Sequence, residues 1–173
     1  MKRIYKITTI VLLSITMVIS SCKKEVDGCT DSSAMNYLSD ATFNDGSCIY
    51  AYDIAQGVWY FTSQCEGESA EDFQDFLPSS VNVEGYGDGA LNFTILDTVN
   101  VNATIDNNGN VNIPTQTLFS VDTLGLSIPF EVSGSGFIES QDSGNLVLMY
   151  LLAIPVFPQS FTCNADLYRE EQD

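Results

Sequence analysis

From residue 58 to residue 168 the chain alternates apolar and polar side chains with a period of two, and clusters of Gly, Asn and Asp interrupt the alternation at short intervals. Period two is the geometry of a strand, whose successive side chains point to opposite faces, so this stretch is held to β-structure with one dry and one wet face. The clearest run sets Val99, Val101, Ala103 and Ile105 against Asn100, Asn102, Thr104 and Asp106. It ends in Asn107-Asn108-Gly109-Asn110, a tight-turn sequence. Leu91, Phe93 and Ile95 precede it in the same pattern, and Val111 and Ile113 continue it as far as Pro114. Proline has no N–H for a ladder, so Pro114 predicts an edge or a bulge. Phe161, Cys163, Ala165 and Leu167 alternate with Thr162, Asn164, Asp166 and Tyr168 at the far end.

The pattern gives eight strands, at about 58–64, 80–84, 90–96, 99–105, 110–118, 128–139, 145–154 and 160–168. Short connections make neighbours antiparallel, and eight strands in a meander suffice to close an up-and-down barrel, which removes the unpaired edges. Cys65 shares the phase of Trp59 and Phe61, and Cys163 that of Phe161 and Ala165. Both thiols therefore fall on the apolar face, on the first and last strands. A closed barrel brings those strands together, whereas a sandwich has no need to. Phe130, Val132, Gly134, Gly136 and Ile138 share one face, and two glycines there predict strong bending or a close crossing. Between the first two strands, Ser69-Ala70-Glu71-Asp72 is a variant capping box, with Phe73, Phe76 and Leu77 at helical spacing before Pro78. A short helix lidding one barrel end is expected there. Leu146 to Phe157 is apolar on both faces, with Leu146, Leu148, Tyr150 and Leu152 on one and Val147, Met149, Leu151 and Ala153 on the other. It is too short for a transmembrane helix, and its outer face is expected to be covered.

The N-terminus supplies an address. Lys2, Arg3 and Lys6 precede an apolar stretch from Ile7 to Ile19 that is short and closes in small residues, which is the form of a secretory signal. Ile19-Ser20-Ser21-Cys22 resembles the lipobox of bacterial lipoproteins. The resemblance implies removal of residues 1–21, acylation of Cys22 and anchoring to a membrane through that lipid. Lys23, where Asp tends to retain such proteins at the inner membrane, implies the outer membrane, on its periplasmic or cell-surface side. Each buried CH₂ contributes about 0.8 kcal/mol, so several acyl chains anchor stably where one does not. Without residues 1–21 the chain keeps three basic residues against 23 acidic ones, a charge of −20, so anionic headgroups repel the body on its tether.

Composition excludes other classes. The chain has 6 Lys+Arg and no His. So few cations rule out nucleic acid as a partner, and the absence of His removes Ser–His–Asp and Cys–His catalysis and the commonest zinc ligand. Glu84, Glu131, Glu139 and Asp142 show no spacing that pairs them as general acid and base, and no enzymatic activity is expected.

Five cysteines remain to be placed. With Cys22 acylated, Cys29, Cys48, Cys65 and Cys163 allow three pairings, of which proximity and module boundaries favour Cys29–Cys48 and Cys65–Cys163. Gly28-Cys29-Thr30-Asp31, Ala34-Met35-Asn36-Tyr37 and Asp45-Gly46-Ser47-Cys48 resemble a Cys-bounded module of secreted and surface bacterial proteins, with Ser32 where Pro is usual. The resemblance implies export. Asp31, Asp40 and Asp45 are candidate oxygen ligands for Ca²⁺, although an EF-hand loop does not fit because Ala41 and Phe43 stand where acids belong. No other cofactor is expected. The organisation expected is thus a signal (1–21), an acylated linker (22–27), the module (28–49), a β-domain (52–169) and a tail (170–173).

Gly57-Val58-Trp59 on the first strand, followed by a lid helix and a meander, resembles the lipocalin and calycin group, in its short form on bacterial lipoproteins. There a basic residue of the last strand packs on the Trp, and Arg169 is the candidate here. The resemblance implies a barrel that holds a small apolar or amphipathic ligand in a lumen lined by Trp59, Phe61, Phe93, Val101, Phe130 and Leu148. The alternative is a lumen filled by those side chains, the domain being a structural or interaction part of a surface complex with a protein partner.

Overall fold

A computed structural model describes residues 24–67, 70, 77–95, 98–123 and 125–170. The signal segment and Cys22 lie outside the described residues, as does most of the helix expected over 69–77. Of that stretch Ala70 is described as helical and buried, and Leu77 packs partly buried against the core.

Two short strands, β1 (Asp27–Gly28) and β2 (Phe43–Asn44), pair in parallel inside the Cys-bounded module. A five-residue helix, α1 (Ala51–Ala55), leads from it into the alternating stretch. Eight strands follow: β3 (Gly57–Gly67), β4 (Ser80–Gly87), β5 (Ala90–Ile95), β6 (Val99–Ile105), β7 (Asn110–Thr123), β8 (Leu126–Ile138), β9 (Ser143–Leu152) and β10 (Gln159–Tyr168). Each pairs antiparallel with its neighbour in sequence, and β10 returns to pair with β3, so the sheet is a closed eight-stranded barrel.

Closure is extensive. β10 meets β3 from Phe161↔Gly67 to Tyr168↔Tyr60, and Cys163 stands directly opposite Cys65. The two are joined by a disulfide with the Cα atoms 4.0 Å apart, the close spacing of facing residues that do not exchange backbone hydrogen bonds. The alternation sends Trp59, Val101, Ala103, Ile113, Val132, Cys163 and Leu167 inward, where all are buried. Asn100, Asn102, Thr104, Asn112, Asn164 and Asp166 point out and are exposed.

The irregularities have local causes. β7 slips register between Ile113 and Gln116, so Pro114 sits in a bulge. Gly134 and Gly136 face Leu148 and Leu146 across the β8–β9 ladder. A Cβ at Gly134 would press on the Val147 carbonyl and come within 3.0 Å of Leu148, and one at Gly136 would meet the Asn145 carbonyl and Leu146. The glycines therefore let the Leu side chains of β9 fold over β8 at the tightest part of the wall.

Two expectations are corrected. β7 and β8 extend to Thr123 and back from Leu126, because Phe119 stacks on Phe130 at 5.0 Å and lengthens the hairpin beyond the predicted end. Among the described residues nothing covers the outer face of β9, where Val147 and Met149 are 43% and 52% exposed. Their cross-strand neighbours Ser133, Ser135, Thr162 and Asn164 are polar, which keeps the apolar pair a small patch in a hydrophilic surface.

Replacing both Cys65 and Cys163 by Ser should lower stability by about 4 kcal/mol, since the clip spans 98 residues of chain. The Cys29–Cys48 pair, 19 residues apart, closes a smaller loop within the module, and its removal should leave the barrel transition in place. Urea unfolding followed by Trp59 emission separates the two.

Candidate functional site

The barrel end nearest the module is plugged by α1. Trp59 Nε1–H donates to the Ala55 carbonyl at 2.8 Å, which fixes the indole under the helix. Arg169, just beyond β10, lies over the indole ring at 4.4 Å from its centroid. Its Nη2 donates to the carbonyls of Ile54 and Gln56, each at 2.7 Å. These are acceptors at the C-terminal end of α1, where no intrahelical donor remains, so one cation satisfies them and stacks on the Trp at once. Gly57 has φ +104°, and a Cβ there would stand 3.2 Å from the guanidinium. The triplet Gly57-Val58-Trp59 thus has a physical reading: a glycine for the turn and the close cation, and an indole for the plug. Tyr52 of α1 accepts from the Gly87 N–H at 2.6 Å and ties the helix to β4.

Above the plug the lumen keeps a cavity of about 70 Å³. Its walls include Trp59, Phe61, Phe93, Val101 and Leu148, five of the six residues expected to line it, with Leu77 and Pro78 at the other end. Phe130 does not line it. That ring is buried in an aromatic stack beside the cavity, 5.8 Å from Tyr150, with Tyr150 in turn 5.0 Å from Phe161. Phe119, just past a register slip in β7, stacks on the same ring. Among the described residues Ser63 and Tyr150 supply the only hydroxyls in the lining. Burial pushes the Tyr150 phenol above its ordinary pKa. Phe61, Val81, Val83, Phe93, Leu146 and Leu148 point into the lumen yet are only partly buried.

In the module, Cys29 and Cys48 are joined as expected. Asn36 spans it like a peptide group, donating to the Ser47 carbonyl at 2.5 Å and accepting from the Ile49 N–H at 2.8 Å. Asp31 accepts from the Ser33 N–H and the Tyr50 hydroxyl, and Asp45 from the Ser47 N–H. These hydrogen bonds hold both carboxyls below the usual carboxylate range and raise the Tyr50 phenol. Asp40 is exposed. Among the described residues no three acidic, Cys or His side chains gather as a metal set around the calcium candidates Asp31, Asp40 and Asp45. Two of the three are committed to capping turns instead. Met35 reaches the barrel, packing against its core near Gly109.

The sequence pattern gave no sign of α1, five residues that follow no strand period and are too few for a helical one. No family model, curated protein or solved structure matches the chain.

Arg169→Ala should destabilise the barrel by about 3 kcal/mol, because it strands two carbonyls and uncovers the indole. Trp59 emission should shift to the red, and Arg169→Lys should restore less than half of the loss. Tyr150 sets an alkaline limit. Its phenol ionises less readily folded than unfolded, so stability is intact below about pH 10 and falls as pH rises above it. Tyr150→Phe should flatten that fall in thermal melts between neutral and alkaline pH.

Proposed function

We propose that the chain is a lipid-anchored lipoprotein of a bacterial outer membrane whose lipocalin-like barrel holds a small apolar ligand in its lumen. The observation that carries the ligand reading is the partial exposure of Phe61, Phe93, Leu146 and Leu148 although they face inward. A core filled by its own side chains buries such groups, as it does at Trp59 and Val101. A lumen open to a small molecule leaves them wet, and burying them under an apolar ligand contributes about 25 cal/mol per Å².

Size limits the ligand. Drug-sized sites run to about 300–1,000 Å³, so a cavity of about 70 Å³ takes a few heavy atoms before side chains must move. A short acyl segment or a small ring suits it. The lining offers Ser63 and Tyr150 for a single polar anchor, so a charged ligand would lose its hydration without recompense. The wrapping of Trp59 by Arg169 supports the lipocalin-like relation, because it supplies the partner that Gly57-Val58-Trp59 calls for. Support for export comes from two formed disulfides, which persist in oxidising compartments. The polar exterior of β5 and β6 does not suit a barrel embedded in lipid, which needs an apolar outward band.

Xenon and benzene titrations of the full chain in detergent, followed by NMR and by thermal melts, test the lumen. Saturating benzene should raise the melting temperature by mass action, and Ala103→Leu, which fills the cavity, should abolish the shift. Absence of any shift in a folded protein overturns the ligand reading. Labelled palmitate incorporation that disappears in Cys22→Ala tests the anchor.

A further inference from the structure

Outside the barrel, one wall differs from the rest of this acidic molecule. The outward side chains of β4 to β6 are amides and hydroxyls, with Glu84 the single carboxylate among them. They border a hollow of about 300 Å³ against Val58, Tyr86 and Asn100. Its groups are set in rows by the ladder. Asn92 lies opposite both Glu84 and Asn102, and its Nδ2 donates to Asn102 Oδ1 at 3.2 Å. Thr94 lies opposite Asn100 and donates to its Oδ1 at 3.0 Å. Past the end of β6–β7 pairing, the Gln116 side chain replaces a peptide, accepting from the Asn102 N–H at 2.9 Å and donating to the Asn102 carbonyl at 2.8 Å. Asn82 and the Tyr86 hydroxyl each donate to a different oxygen of Glu84, at 3.4 Å. The Tyr86 ring is 69% exposed at the rim.

We infer that this wall is a binding surface for an uncharged glycan, separate from the lumen and independent of what the lumen holds. Each amide carries two N–H donors and two acceptor lone pairs, so the cross-strand bonds fix its direction and leave capacity for a ligand. A sugar ring presents vicinal hydroxyls that both give and accept, which matches amide rows. Its C–H face matches an exposed phenol ring. Charge narrows the class further. Among the described residues no Lys or Arg borders the hollow, and the acidic body repels anions. Among the described residues Glu84 is the one carboxylate at the hollow, short of the set that a hard cation such as Ca²⁺ gathers. Glu84, already held by Asn82 and Tyr86, is suited to accept from a sugar hydroxyl. A hollow of about 300 Å³ reaches the lower bound for small-molecule sites.

Native gel retardation of the full chain in detergent tests the surface, with dextran, xylan, mannan and a mixed-linkage β-glucan against the anionic alginate and pectate. At least one neutral polysaccharide should retard the protein and neither anionic one should. Tyr86→Ala and the isosteric Asn92→Asp should each weaken that retardation at least tenfold, while Asn164→Ala on the opposite wall leaves it unchanged. Trp59 emission confirms that each variant keeps the plug. Failure of all four neutral polymers, equal retardation by alginate, or unaltered binding by both variants overturns the inference. Ala103→Leu should bind the glycan normally, which separates this surface from the lumen.

Discussion

The pairing of β10 with β3 is the constraint on which the rest of the molecule depends. Two strands about a hundred residues apart meet along eight register pairs, and Cys65 and Cys163 are bonded across one of them. Without that seam the meander is an open sheet with two unpaired edges and one apolar face turned to water. With it, the apolar face becomes an interior. Loop-closure entropy makes such a contact costly to form, and a covalent clip removes that cost from the unfolded chain.

Once closed, the barrel still has two open ends, and they are treated differently. The end nearest the module is sealed by α1, the Trp59 indole and the Arg169 guanidinium. There the cation satisfies carbonyls that a five-residue helix cannot satisfy itself. The residue that performs this lies just past the last strand, so the C-terminus locks the entrance to the first. At the other end, among the described residues, Leu77 and Pro78 border the cavity.

The interior and the exterior divide the chemistry between them. Apolar groups face a small cavity with two hydroxyls, while the wall formed by β4 to β6 carries amides held in rows by the same ladder that forms the barrel. Both surfaces come from one alternating pattern, and each strand contributes to both. A one-residue slip in any strand would exchange the two sets of side chains, so the register that builds the core also builds the outer face.

Much of this was legible in the residues. Period two located all eight strands, because side-chain alternation is a property of each strand alone, and Pro114 and the two glycines marked their irregularities for equally local reasons. The common phase of Cys65 with Trp59 and of Cys163 with Phe161 pointed to the seam. Three things were decided by tertiary structure alone. Phe130 stacks with Phe119 and Tyr150 instead of lining the cavity, contacts made between strands. Asp31 is tied to the Tyr50 hydroxyl across the module as well as to the Ser33 N–H beside it, a contact that only the folded module makes. The size of the lumen depends on how side chains from eight strands interlock. Alternation states which side a residue faces, and it carries no information on how much space remains once all of them have arrived.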